Sequence, residues 1–252
     1  EKQQQQPSIT AIVIGAGRRA EIYTSHPAFK VVGVADPSAS RRLRFKQRFR
    51  IDESNVWADW PEAFGEHGPK HADVAIITTP DQLHVQPVLA AIAKGYHVLM
   101  EKPMATTLDD CESIAAAAAK SKSVCAVCHV LRYTPANRRI RQLIESGTIG
   151  EVVSITHTEP VGHFHFAHSF VRGQWSQEAT STFSLMSKSC HDIDLLLYFM
   201  GDDGVEGDAC TYVSSFGSLQ HFKQTKKPAA AKVRLRGSHT LSLSHTHSLS
   251  LS

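Results

Sequence analysis

Three short stretches carry residues whose types and spacing could do chemistry together. The first is Gly15-Ala-Gly17-Arg18-Arg19-Ala20, set directly after the run Ile9-Thr-Ala-Ile-Val-Ile14. A strand that stops at glycines and turns at once into a helix leaves free backbone N–H groups and a positive dipole end aimed at one point, which suits a pyrophosphate. Gly15 permits the tight turn, Gly17 lets a phosphate approach the backbone, and Ala20 is small enough for close packing of helix on strand. Asp36 ends the next apolar run, Val31-Val-Gly-Val-Ala35, where a carboxylate can accept hydrogen bonds from a ribose diol. The second stretch holds Lys102, directly after a buried strand and before Pro103, where a cis peptide is expected. The third holds His191, near the start of an apolar helix; standing alone, such a histidine is more often a hydrogen-bonded structural residue than a catalyst. An ammonium stabilises a developing alkoxide and an imidazole takes a proton near neutrality, which is what oxidising an alcohol requires.

These residues need a scaffold, and the first half of the chain spells one out. Ala72 to Thr79 is a nearly continuous apolar run of the kind buried on both faces of a parallel sheet. Val85 to Lys94 reads as a helix stopped by Gly95, Tyr96 to Met100 as a strand, Thr107 to Asp110 as a capping box, and Val124 to Val130 as a buried strand. Ser38 or Ser40 opens a helix after Asp36, and Val56-Trp57 is a candidate short strand. Alternation of this kind predicts an α/β fold, an N-terminal doubly wound parallel Rossmann sheet, in which ligands bind beyond the carboxyl ends of the strands. Thr79, Pro80, Asp81, His84, Glu101, Lys102 and the segment Arg132-Tyr133-Thr134-Pro135 should therefore gather at one edge with the glycine turn and Asp36.

The signatures GAGRRA, VVGVADP, TTPDQLH, EKPMA and LRYTP, in this order and all at strand ends, resemble the Gfo/Idh/MocA family of NAD(P)-dependent oxidoreductases, over roughly Ile9 to Gly201. The resemblance implies a dinucleotide-binding domain at residues 8–135, a partial, incomplete α+β substrate domain at 136–227 and a tail at 228–252. It implies a hydride passed between a nicotinamide and the hydroxyl-bearing carbon of a sugar, polyol or related cyclic alcohol. Cofactor contacts fall to Gly15, Gly17, Arg18, Arg19, Ala20, Asp36, Thr79, Pro80, Asp81, His84, Glu101 and Lys102. In the family's HDxD pattern His191 faces the nicotinamide as general base, with Lys102 as its electrostatic partner. Many members carry an aspartate four residues before this histidine, where this chain has Ser187, followed by Lys188; Asp192 or Asp194 could partly substitute. Asp36 favours NAD over NADP by repelling a 2′-phosphate, although Arg41 and Arg42, folded back toward the ribose, would admit NADP.

In the second half, Glu151 to Thr158 alternates as a half-buried strand should, the first of the substrate domain. Next comes a segment dense in histidine and aromatics, His163-Phe-His165-Phe-Ala-His168 and Arg172-Gly-Gln-Trp175. Histidines two apart on a strand share a face, yet no thiolate or carboxylate nearby completes a metal site, so the expectation is no metal and a loop bordering a polar pocket. Tyr133, His168, Arg172, Trp175, Lys188 and Asp192 are the candidate substrate contacts. The helix that carries His191 should turn Ile193, Leu196, Leu197 and Met200 inward.

A net charge of +3 over 252 residues argues against a nucleic-acid partner, and no apolar run approaches the length that spans a bilayer. Five scattered cysteines fit a reducing compartment, so the expected location is the cytoplasm. Cys125-Ala-Val-Cys128-His129 matches the spacing of covalent haem attachment, but residues three apart on a strand face opposite ways, which favours small buried hydrophobes. After Lys227-Pro-Ala-Ala-Ala the text departs from the family into a Ser/Leu/His-rich stretch, and residues 228–252 are expected to be an unpacked tail. Family members continue with further strands that usually form the oligomer interface, which should be missing here. A catalytically inactive nucleotide-binding remnant is therefore the alternative to a working dehydrogenase.

Overall fold

The computed structural model describes residues 9–65, 69–173, 175–177, 181–201, 210, 212–218 and 223–226. The expected tail at 228–252 lies outside them. By internal contacts the chain divides into two compact units between Cys128 and His129.

In the first unit, six parallel strands run β1 (Ile9–Ile14), β2 (Phe29–Ala35), β3 (Val56–Trp57), β4 (Val74–Ile77), β5 (His97–Met100) and β6 (Cys125–Val127). Their order across the sheet is β3-β2-β1-β4-β5-β6, every neighbouring pair parallel. The order reverses between β1 and β4, which is the switch point where such sheets take a ligand. Interleaved are α1 (Arg18–Tyr23), α2 (Ala39–Phe49), α3 (Trp60–Ala63), α4 (Val85–Ala93) and α5 (Leu108–Lys120). The Thr107 hydroxyl accepts from the Asp110 N–H and caps α5 as its sequence predicts.

The apolar run of β1 serves both faces. Ile12 and Ile14 enter one core with Ala75, Ile77, Val88 and Tyr96, while Ala11 and Val13 enter the other with Val34, Phe45 and Ile76. Alternate side chains of a strand point to opposite faces, so a sheet covered on both sides needs this continuous hydrophobicity. At the far end of β1, Thr10 N–H and hydroxyl both donate to Asp73 Oδ2, at 2.9 and 2.5 Å, while Asp73 N–H donates back to the Thr10 hydroxyl. These bonds hold the Asp73 carboxyl below its ordinary value of 3.8. A depressed carboxyl pKa contributes stability that is present above the unfolded value and is lost as pH falls through the folded one. Asp73→Asn should therefore cost about 0.5 kcal/mol at pH 7, small because solvent screens the site, and nothing at pH 2. Urea melts at the two pH values check this; an equal loss at both would remove the charge from the explanation.

The second unit holds α6 (Pro135–Glu145), α7 (His163–Phe166), α8 (Ser184–Ser187) and α9 (Cys190–Met200). Two expectations fail here. Residues 151–158 form no strand, and Val153 stands 92% exposed. Among the described residues this unit offers no other strand to satisfy its backbone, and alternation without a partner cannot hold a ladder. The histidine-rich segment is helical, with a π turn at Ala167–Val171, so His163 and His165 do not share a face.

Candidate active site

Gly15 follows β1 directly with φ of +93°, the region that favours glycine. A Cβ there would stand 2.7 Å from the Thr78 carbonyl oxygen and 2.9 Å from Thr79 N. Its N–H donates to the Ala35 carbonyl at 2.8 Å, and the Thr78 hydroxyl donates to the Gly15 carbonyl, so the turn is clamped between β2 and β4. Gly17 is the N-cap of α1 with no side-chain cap, and a Cβ on it would meet nothing within 4 Å. Open space beside uncapped amides fits the phosphates of a dinucleotide.

Asp36, only 3% exposed, does more than wait for a ribose. Its Oδ2 accepts the Ala16 N–H and its Oδ1 the Ser38 N–H, both at 2.8 Å. A carboxylate has about four lone-pair sites, so it can hold the glycine turn and still accept a hydroxyl. Arg41 comes within 3.7 Å of Oδ2, while Arg42 donates to the Asp36 and Pro37 carbonyls, tying down the end of β2.

Beyond β4, Thr79 donates to the Leu83 carbonyl and Asp81 is buried. His84 is fully buried, its ring nitrogens each 2.9 Å from a carbonyl, those of Pro103 and Thr79. It staples two strand-end loops together and presents no surface of its own. Lys102 leaves the end of β5 through a cis peptide to Pro103, and its N–H donates to Glu101 Oε2 at 3.0 Å. Glu101, 7% exposed, also accepts the Tyr23 hydroxyl and lies 3.7 Å from Arg19. Burial first, and then Glu101, raise the Tyr23 phenol well above its usual range. Burial, with the Glu101 charge behind it, pushes the Cys128 thiol up to about 12, so it is protonated at neutral pH.

In the second unit, His191 sits in the first turn of α9 behind the N-cap Ser189. Its ring meets that of His129 edge-on, centroids 6.0 Å apart. The inward face of α9 differs from expectation: Asp192, Asp194 and Leu195 are buried, whereas Ile193 and Met200 are 50% and 57% exposed. The two buried carboxylates on that face each have a partner. Arg132 grips Asp194 through Nε, at 3.0 and 2.9 Å to its two oxygens, and His157 Nε2 lies 2.8 Å from Asp192 Oδ1. Ser187, where a family aspartate is common, donates to the Phe183 carbonyl. Lys188 donates to Glu159 at 2.6 Å. His168 stacks on Phe164, Arg172 lies exposed near the Ala167 carbonyl, Trp175 packs on Phe170, and Tyr133 is 65% exposed beneath Arg138.

Tyr23, His129 and His157 carry no sequence signal of their own. Each is an ordinary residue in a helix or loop until folding brings a partner.

A six-stranded parallel sheet in this order, with a glycine turn at its switch point, defines a Rossmann dinucleotide-binding protein. The chain belongs to the Gfo/Idh/MocA oxidoreductase family: it matches the family's NAD-binding Rossmann fold over residues 9–129 and its C-terminal alpha/beta domain over 141–251. It is similar to oxidoreductase YteT of Bacillus subtilis, 28% identical over 203 residues, covering 80% of this chain and 45% of that protein. It is 31% identical over 152 residues to 1,5-anhydro-D-fructose reductase of Ensifer adhaerens, covering 60% of this chain and 44% of that one. In fold it matches the crystal structure of scyllo-inositol dehydrogenase from Lactobacillus casei with NAD(H) and scyllo-inositol, at a TM-score of 0.63 and 21% identity over 77% of this chain and 56% of that one. The chain spans about half the length of the curated relatives it matches. Among the described residues no helix is long and apolar enough to cross a membrane.

Proposed function

We propose that the chain transfers a hydride between NAD and the hydroxyl-bearing carbon of a sugar, polyol or related cyclic alcohol. The observation that carries this is the clustering, at the carboxyl edge of one sheet, of an uncapped glycine turn, a buried carboxylate holding that turn, and a lysine whose N–H is held by the Glu101 carboxylate. Membership of an oxidoreductase family and similarity to a sugar-derivative reductase support the substrate class.

The glycine-turn amides and Asp36 hold the dinucleotide, with Arg18 and Arg19 at the first turn of α1 adding positive charge toward its phosphates. Bound there, a nicotinamide supplies the hydride acceptor or donor. Lys102 stabilises negative charge developing on the substrate oxygen. His191 takes the hydroxyl proton in oxidation and returns it in reduction. Tyr133, His168, Arg172, Trp175, Lys188 and Asp192 are assigned to the substrate's other hydroxyls. The assigned location is the cytoplasm.

The test pairs binding with turnover. NADH should bind at least about tenfold more tightly than NADPH, because Asp36 repels a 2′-phosphate, and Asp36→Ala should narrow that ratio while weakening both. A panel of polyols and cyclic sugars should then yield NADH from NAD. Tighter NADPH binding would reverse the cofactor assignment, and saturable NADH binding with no turnover on any substrate would remove the redox reading.

A further inference from the structure

We propose that Tyr23 is a positioning residue for Lys102: through the buried Glu101 carboxylate, its hydroxyl holds the peptide from which the lysine projects. Burying a carboxylate is unfavourable unless its lone pairs are met by donors. Glu101 has three sources of positive hydrogen close by: Tyr23 Oη, the Lys102 N–H at 3.0 Å, and the more exposed Arg19 guanidinium at 3.7 Å. The phenol takes Oε1 and the backbone amide takes Oε2, so the two bonds fix the carboxylate plane and, with it, the start of the Lys102–Pro103 turn. Arg19 is beyond hydrogen-bond distance and its side chain is 58% exposed, which leaves the phenol as the firm neighbour on its side.

Tyr23 is the last residue of α1, the helix that starts at the glycine turn. Glu101 thus joins the element that receives phosphates to the element that presents the ammonium. Cys128 completes the cluster. Burial keeps its thiol protonated, so it sets no negative charge beside the phenol and Glu101. Raised in the same way, the Tyr23 phenol keeps its proton at neutral pH. The charged groups beside the phenol and the thiol, among the described residues, include Glu101 and Arg19.

The proposal rests on Lys102 being the group that stabilises the substrate oxygen, and two readouts keep the two ideas apart. Tyr23→Phe removes one hydroxyl and keeps the ring. It should lower kcat about tenfold while moving the substrate KM and the NADH Kd by less than about twofold. By site-resolved deuterium exchange, the Lys102 amide should exchange at least about tenfold faster. Tyr96→Phe is the control, since the Tyr96 hydroxyl accepts the His71 N–H at 2.9 Å in the core at the opposite end of β5. It should soften the fold without touching either readout. Unchanged Lys102 exchange in Tyr23→Phe overturns the proposal, as does an equal effect from Tyr96→Phe. If the wild type turns over no alcohol, the redox reading fails; the exchange result still decides whether Tyr23 holds the lysine's peptide.

Discussion

Lys102→Met should lower kcat by about a thousandfold while NADH affinity changes less than about threefold. The reasoning begins with the backbone. The Lys102 N–H is bound to Glu101, a contact that does not depend on the side chain, and methionine keeps the apolar stem. What disappears is one positive charge beside the reacting oxygen. Loss of a single stabilising group aimed at transition-state charge typically costs a factor of 100 to 1,000, roughly 3 to 4 kcal/mol. In the proposed function the phosphate and ribose contacts belong to the glycine turn and Asp36, so binding should survive. Single-turnover measurement of NADH formation, paired with fluorescence titration of NADH, separates the two quantities. A variant that retains more than about a tenth of wild-type kcat would displace Lys102 from the chemical step and with it the role given to Tyr23.

Gly15→Ala should unfold or nearly unfold the first unit's binding edge, with a loss of about 2 to 5 kcal/mol in stability and more than about tenfold in NADH affinity. Two independent penalties combine at one atom. A residue with a side chain is strained at φ of +93°, and its Cβ would enter the Thr78–Thr79 peptide at distances of 2.7 to 2.9 Å, where backbone cannot swing aside. Relief requires moving either β1's exit or the start of the Thr79 loop. The first breaks the Gly15 bond to Ala35 and the second disturbs the carbonyl that His84 holds. Gly17→Ala supplies the contrast, since its Cβ meets nothing in the free protein. It should leave urea stability within about 0.5 kcal/mol yet still weaken NADH, because the methyl takes space that phosphate needs. Equal stability losses in the two variants would contradict the close packing seen at Gly15.

The first half of this chain was legible from its text because its information is local. An apolar run, a glycine turn and a terminal acid each occupy a few consecutive residues, and parallel strands buried on both faces must be hydrophobic throughout. The buried strand read over Val124 to Val130 is realised only as β6, Cys125–Val127, with none of its three residues buried and Val124 67% exposed, while Cys128 lies buried past its end. The second half resisted the same treatment. The alternation from Glu151 to Thr158 satisfied a strand pattern but found no ladder, and α9 was read by hydrophobicity although two partnered carboxylates lie on its buried face.

The sequence by itself determined the α/β scaffold, the glycine turn, the acid that follows β2 and the place of Lys102 after a strand, since each depends on neighbours within a few positions. Tertiary structure alone decided that Asp36 grips the glycine turn across 20 residues, that Tyr23 meets Glu101 across 78, and that Arg132 and His157 claim Asp194 and Asp192. The physical reason is that a buried polar group must find a partner wherever folding delivers one, and no spacing rule in the chain records which partner that will be.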